Sequence, residues 1–267
     1  MLFPNSQGGR HEASGTGAVG TLVTAHATVD TKGSYTAIIA ATSFDYHGFF
    51  IQTLPLTANC SYLLDIAVDQ GGTEKILVSD VPLMNGFSEY GGYYFPIFVA
   101  AGSTISIRAQ ASVTSGLFVA TTYGQQAGSN IPIFSRSETI GALTASSQGT
   151  QIDSGAVVDT KGSIIQIAAS TGIDYKYMSC YIGHDHATLP TQGGIIGMGV
   201  YVGGSGVEDV IMNGMVTGGL GGVGYTSQPH YGLFCDIKAG TRISADCQCN
   251  NTQATDRIGS IVCIGYN

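Results

Sequence analysis

The chemistry-bearing residue types in this chain fall into three short strings. His184-Asp185-His186 sets two imidazoles two residues apart, a spacing that shares one face of a strand and would suit a zinc-class ion given a third ligand. Asp30-Thr31-Lys32-Gly33 and its repeat Asp159-Thr160-Lys161-Gly162 each offer a carboxylate for calcium or a sugar hydroxyl. Calcium takes about six or more oxygens, and no acidic cluster stands beside either aspartate. The alternative is a turn, with the aspartate bonding to nearby backbone and the glycine supplying a positive φ. Cys247 and Cys249 are separated by one residue; the cysteines show neither a C-x-x-C pair nor zinc spacing.

The repeat supplies an internal control. Val29–Ser34 recurs letter for letter as Val158–Ser163, and Asp45-Tyr46 recurs as Asp174-Tyr175, both at a spacing of 159 − 30 = 129 residues. Ala101-Gly102, Ile105, Ser106 and Gln110 reappear as Ala239-Gly240, Ile243, Ser244 and Gln248, now at 240 − 102 = 138. Such self-similarity marks a module written twice. Against it, the metal reading of His184 and His186 loses support: Pro55 and Thr57 stand 129 residues earlier, so a polar loop is the simpler account. Cys247 and Cys249 match Ala109 and Ala111 and read as small core fillers. No Gly-x-Ser-x-Gly, no repeated Ser-His-Asp set and no close carboxylate pair is found. The Gly219–Gly224 stretch lacks the Lys-Ser/Thr and strand-to-helix setting of a phosphate loop. The expectation is a chain with no catalytic, cofactor-binding or metal residues.

The elements that position these residues are strands. Tyr62, Leu64, Ile66 and Val68 alternate with Leu63, Asp65, Ala67 and Asp69, and Ile105, Ile107, Ala109 and Ala111 alternate with polar neighbours. Ile243, Ala245, Cys247 and Cys249 do the same in the second copy. Period-two alternation buries one face and wets the other. Lys-Gly, Gly-Gly and Asn-Gly turn signals separate these runs. The expected fold is all-β: two tandem antiparallel β-sandwiches, jelly-roll-like, at residues 18–125 and 148–267. Residues 1–17 read as an extended arm. Residues 126–147 read as a linker or a strand docked between modules.

Of the 267 residues, 43% are hydrophobic and 10% charged, with 39 glycines and a net charge of −8. Charge is well below the roughly one quarter of an ordinary soluble domain. Negative charge argues against nucleic acid, and no run reaches the length of a transmembrane helix. Met1 opens no signal peptide, so folding in a cytoplasm is expected. So few charges suggest a surface covered by partners. The candidate contact residues are Phe87, Tyr90, Tyr93, Tyr94 and Arg108 in copy one, and Leu220, Tyr225 and Asp246 in copy two.

The series Leu64-Asp65-Ile66, Gly71-Gly72-Thr73-Glu74, Ile76-Leu77-Val78, Pro96-Ile97, Ala101-Gly102, Ile105, Arg108 and Gln110 resembles a repeat of virion proteins of tailed bacteriophages. Copy two keeps Glu208, Ala239-Gly240-Thr241 and Gln248, with Gly197 in place of the aspartate and Asp246 in place of the arginine. The resemblance implies a non-enzymatic virion structural protein with a β-sandwich fold, folded in the host cytoplasm and carrying no cofactor. It points to a capsid decoration, cement or head-fibre protein. The partners it implies are other virion proteins, above all the major capsid protein, with a symmetric homo-oligomer, no nucleic acid and no membrane. The competing reading is a tail or fibre protein that binds a host glycan through the aromatic loop of copy one and the Gly-rich loop of copy two.

Overall fold

A computed structural model describes residues 11–14, 20–57, 60–69, 73–84, 91–126, 132–184, 194–218, 231–251, 253 and 257–267. The described residues are strands and turns without an α-helix. Copy one holds β1 (His11–Ser14), β2 (Thr21–Thr24), β3 (Thr36–Ile39), β4 (Phe49–Pro55), β5 (Ser61–Asp69), β6 (Glu74–Met84), β7 (Gly91–Phe95), β8 (Thr104–Ala111) and β9 (Leu117–Gln125). Next come β10 (Ser137–Ile140), β11 (Ala142–Leu143), β12 (Gln148–Asp153), β13 (Ile165–Ala168) and β14 (Tyr175–His184). The chain ends with β15 (Ile195–Val202), β16 (Asp209–Gly218), β17 (Tyr231–Ile237), β18 (Ile243–Cys249) and β19 (Ile258–Tyr266).

Each copy is a jelly roll. In copy one, the order β2-β9-β4-β7 faces the order β3-β8-β5-β6; copy two repeats this as β12-β19-β14-β17 against β13-β18-β15-β16. Consecutive strands switch sheets except at the β5–β6 and β15–β16 hairpins, the order of a jelly roll. Ile51, Phe95 and Phe118 from one sheet meet Tyr62, Leu64 and Ile107 from the other in the first core. Met178, Cys180 and Ile261 meet Met198, Ala245 and Cys247 in the second.

The strands before each jelly roll also correspond. β1 pairs with the end of β9 and β10 with the end of β19, so that Glu12 opposes Gly124 as Glu138 opposes Gly265. The spacing here is 138 − 12 = 126. The first unit thus reaches back into the stretch read as an arm, and the second reaches back into the stretch read as a linker.

One strand departs from simple alternation. The outward residues Leu63, Asp65 and Ala67 of β5 are buried along with the inward ones. Lys32 lies over this face and donates from Nζ to the Leu63 carbonyl. Beside it, Gln110 Nε2 donates to Thr144 O and Ser147 Oγ in the segment that leads into β12. The face expected to be wet is therefore covered by the chain itself.

Candidate functional site

The repeated Asp-Thr-Lys-Gly string runs along the edge of each inner sheet beyond the short strand β3 or β13. Asp30 and Gly33 donate their N–H groups to Ala111 and Ala109 of β8. Asp159 and Gly162 donate to Cys249 and Cys247 of β18. The positive φ falls on the aspartates, 53° at Asp30 and 56° at Asp159, not on the glycines as the turn reading expected. Aspartate tolerates this region better than most residues. The glycines serve close approach instead: a Cβ on Gly162 would sit 2.3 Å from the Asp153 carbonyl oxygen. The threonine hydroxyls cap the loop, donating to Val29 O and Val158 O.

The lysine of each string reaches across the sheet, while Asp30 Oδ1 accepts from Ser147 Oγ. In copy one, Lys32 Nζ bonds Asp65 on β5 at 2.7 Å and lies 2.8 Å from Asp80 on β6. Arg108 on β8 closes the cluster, its Nε and Nη2 each 2.8 Å from Asp65 Oδ2, and its guanidinium stacks 4.7 Å from the Tyr35 ring. Burial alone would raise the Asp65 carboxyl. Lys32, the Asp80 N–H and Arg108 outweigh it and hold the group below its ordinary value.

Copy two builds the same cluster with the charges moved. Gly199 stands opposite Asp246, where copy one has Asp65 opposite Arg108. The missing aspartate is thus at Gly199, a correction to the Gly197 expected from sequence. Lys161 Nζ meets Asp246 at 3.0 Å, the Tyr201 hydroxyl at 2.8 Å and Asn213 at 3.2 Å. Tyr201 donates to Asp246 Oδ2 at 2.5 Å. The carboxylate has moved from the position β5 holds in copy one to that of the adjacent strand, β8 there and β18 here, and stays within reach of the corresponding lysine. Burial would lower the Lys161 ammonium, but Tyr201 and Asp246 raise it.

These clusters hold a fold rather than perform chemistry. Every charged group in them is paired with an opposite charge, and the Asp65 and Asp246 carboxylates are buried. The other repeated polar letters are structural too. Asp45 and Asp174 accept the N–H of Ala101 and Ala239 at 2.7 and 2.8 Å, bracing the Ala-Gly turns. Tyr46 and Tyr175 fill the cores, packed so closely that a Cβ on Gly124 or Gly265 would strike their rings. Glu138, which the sequence reading passed over, accepts from Gly172 N, Ile173 N and the Tyr175 hydroxyl. Its signal was Glu12 at an unmatched spacing of 126.

The predicted contact residues are scattered. Phe87, Tyr90, Leu220 and Tyr225 lie outside the described residues, as do Asp185 and His186. Asp246 is buried in its ion pair, which corrects the expectation of a free outward charge; Arg108 is half-buried on Asp65. Tyr93 and Tyr94 are buried as well. The partner they meet is the second copy. Tyr93 packs on Tyr181 with ring centroids 5.5 Å apart and donates to Pro82 O, while burial pushes the Tyr94 hydroxyl up to about 12.

Around them, the β6–β7 edge of copy one seats on the outer face of the β14–β19 sheet. Ser137 Oγ and Thr139 Oγ1 of β10 donate to the carbonyls of Leu77 and Ser79 on β6. Phe134 bridges Ile97, and its ring lies 6.1 Å from that of Tyr177. Tyr181, Ile264 and Tyr266 join the hydrophobic core of copy one.

Cys247 and Cys249 lie in the core of copy two, where copy one has Ala109 and Ala111. Burial pushes the Cys247 thiol up to about 12. Among the described residues, three or more His, Cys, Asp or Glu side chains nowhere gather as a metal set would need.

No protein-family model and no curated protein matches the chain. Among solved structures, it is similar to the CBM22-1–CBM22-2 tandem domain of Paenibacillus barcinonensis Xyn10C, at 9% identity over 98% of this chain and 92% of that one, with a TM-score of 0.30. The structure of PNGF-II matches at 10% identity over 96% of this chain and 66% of the other, TM-score 0.39. The STIV MCP matches at 11% identity over 97% and 95%, TM-score 0.34. The jelly-roll assignment itself rests on the chain's own strand order.

Proposed function

We propose that this protein is a non-enzymatic structural component of a virion, of the capsid decoration, cement or head-fibre kind, whose partners are other virion proteins. One observation carries the reading: the polar residues repeated between copies hold turns, sheet edges and buried ion pairs. Selection for a shared reaction would instead keep a reactive group free in both copies. The tailed-phage repeat resemblance of copy one supplies the virion assignment, and the major capsid protein is the partner it favours. The test is a tagged copy expressed during infection, followed by gradient-purified particles and electron microscopy. The reading expects the tag on the head, at a copy number comparable with the capsid lattice. A label confined to the tail tip would favour the glycan-binding fibre instead. A chain absent from particles would refute the proposal.

A further inference from the structure

The chain carries six cysteines, all of them free thiols. Two of them face each other. Cys180 on β14 and Cys263 on β19 are direct partners in strand register. Both are fully buried in the core of copy two, with their Sγ atoms 3.2 Å apart. Facing residues of an antiparallel pair have Cα atoms about 4.5–5.5 Å apart, inside the ~4.4–6.8 Å that a disulfide spans. The sulfurs need to draw only about 1.2 Å closer to reach a bond length of about 2.04 Å.

The repeat does not require this pair. Met178 opposes Gly265 as Phe49 opposes Gly124, so Cys180 and Cys263 take the places of Ile51 and Thr122, which also face each other. The slot is filled in copy one without sulfur. The remaining cysteines offer no comparable partner. Cys247 and Cys249 lie two apart on one strand, about 6.4–6.8 Å along it, too far for the about 3.5–4.5 Å between the Cβ atoms of a disulfide. Cys235 lies on β17, across β14 from β19, with its thiol on the Tyr175 carbonyl, and Cys60 belongs to the core of copy one. The pair also has a telling position. The neighbours that point the other way, Tyr181 and Ile264, join the core of copy one, so a bond here would tie together two strands on which copy one is seated.

We propose that Cys180 and Cys263 are a redox pair that closes into a cross-strand disulfide when the chain meets a small disulfide oxidant such as oxidised glutathione, clamping β14 to β19 beneath the seat of copy one. The step is thiol–disulfide exchange. One cysteine thiolate attacks the oxidant, whose S–S bond breaks and releases one glutathione thiolate. The second cysteine thiolate attacks the mixed disulfide so formed, making the Cys180–Cys263 bond and releasing the second glutathione. Two cysteine thiols are oxidised, one small disulfide is reduced to two thiols, and the two cysteine protons pass to the leaving thiolates. In the closed core, the Cys263 sulfur and burial hold the Cys180 thiol well above its ordinary value, and only a thiolate attacks. The first exchange therefore takes place when β14 and β19 part, and their re-pairing brings the second sulfur onto the mixed disulfide. The proposal does not rest on the virion assignment.

The test uses the full chain in two arms. In one, folded protein is held with oxidised glutathione in urea below the unfolding midpoint, where circular dichroism shows the fold intact and local opening is promoted. In the other, the chain is refolded from full denaturant in the same oxidant, so that access does not limit the exchange. Free thiols are then counted by N-ethylmaleimide labelling in strong denaturant and mass spectrometry. The wild type is expected to lose two of its six thiols with no glutathione retained, and to regain both with dithiothreitol. Trypsin cuts after Lys176, Lys238 and Arg257, so the bond joins peptide 177–238 to peptide 258–267. The first peptide also holds Cys235; Cys235→Ala is expected to keep the link, and Cys180→Ala and Cys263→Ala to lose it. The linked chain is expected to unfold at higher urea than the reduced one, because a loop of 263 − 180 = 83 residues is closed. Six free thiols in both arms, glutathione adducts without a link, a link that survives in Cys180→Ala, or a linked chain that unfolds at no higher urea would overturn the proposal.

Discussion

Asp65 is the residue on which the charge cluster of copy one turns. Its carboxylate is buried between Lys32 and Arg108, which remain partly wet. Removing one partner of a fully buried pair costs about 3–5 kcal/mol; with two partly solvated cations, Asp65→Asn is expected to cost about 2–3 kcal/mol in urea denaturation. The folded carboxyl titrates below its ordinary value. Its stabilisation is therefore complete above the unfolded value of about 3.9 and fades as pH falls through the folded one. The gap between wild type and Asp65→Asn should narrow only below about pH 4; a gap unchanged down to pH 2 contradicts the assignment. Copy two offers a swap. Gly199→Asp sets a second carboxylate beside Asp246 and should destabilise, since its Cβ would lie 2.9 Å from Asp246 Oδ1. Adding Asp246→Arg recreates the arrangement of copy one, and a double-mutant cycle should return a favourable coupling of about 1–3 kcal/mol. Additive effects would show that the two copies do not use the lysine alike. The lysine was legible in the sequence as a repeated letter, but its partner was not, because Asp65 and Asp246 sit on different strands and only cross-strand register brings both under it.

At the scale of elements, period-two alternation located the core strands, since a half-buried sheet imposes that pattern directly. It missed what covers β5, because the covering residues come from a distant loop and from the segment before β12. The start of each module was hidden for a related reason: Glu12 and Glu138 are 126 apart while the later landmarks are 129 apart, so a fixed offset passes them by. Strand pairing recovers them at once. The tightest constraint at this level is the glycine facing each core tyrosine. A Cβ would lie 2.0 Å from the Tyr46 ring at Gly124 and 2.3 Å from the Tyr175 ring at Gly265. Overpacking of this kind costs about 1–3 kcal/mol, so Gly124→Ala and Gly265→Ala should each lower the melting temperature. Recovery in the paired Gly265→Ala/Tyr175→Phe variant is not expected, because the clash is with ring carbons and not the hydroxyl. Cys247→Ala/Cys249→Ala, by contrast, leaves only small cavities like those copy one already tolerates with alanine, and should cost about 1–2 kcal/mol. A loss beyond that range would mean the thiols do more than fill space.

For the whole molecule, Tyr93 and Tyr94 show what sequence could not reveal. Their clustering marked a contact surface, but nothing local says that the surface meets the chain's own second copy, where Tyr181, Ile264 and Tyr266 complete the first core. Because that shared core links the modules, calorimetry should show a single unfolding transition, and Tyr181→Ala should split it in two or lower it by the about 3–5 kcal/mol typical of a buried aromatic truncation. Two independent transitions in the wild type would mean that the copies are merely strung together. The polar residues repeated between the copies brace turns, sheet edges and ion pairs. The most direct test of the proposed structural role is the copy number of the chain in purified particles, measured by quantitative mass spectrometry against the major capsid protein. The account predicts a fixed ratio set by the capsid lattice, retained through stringent washing; absence from particles, or a trace amount lost on washing, would contradict it.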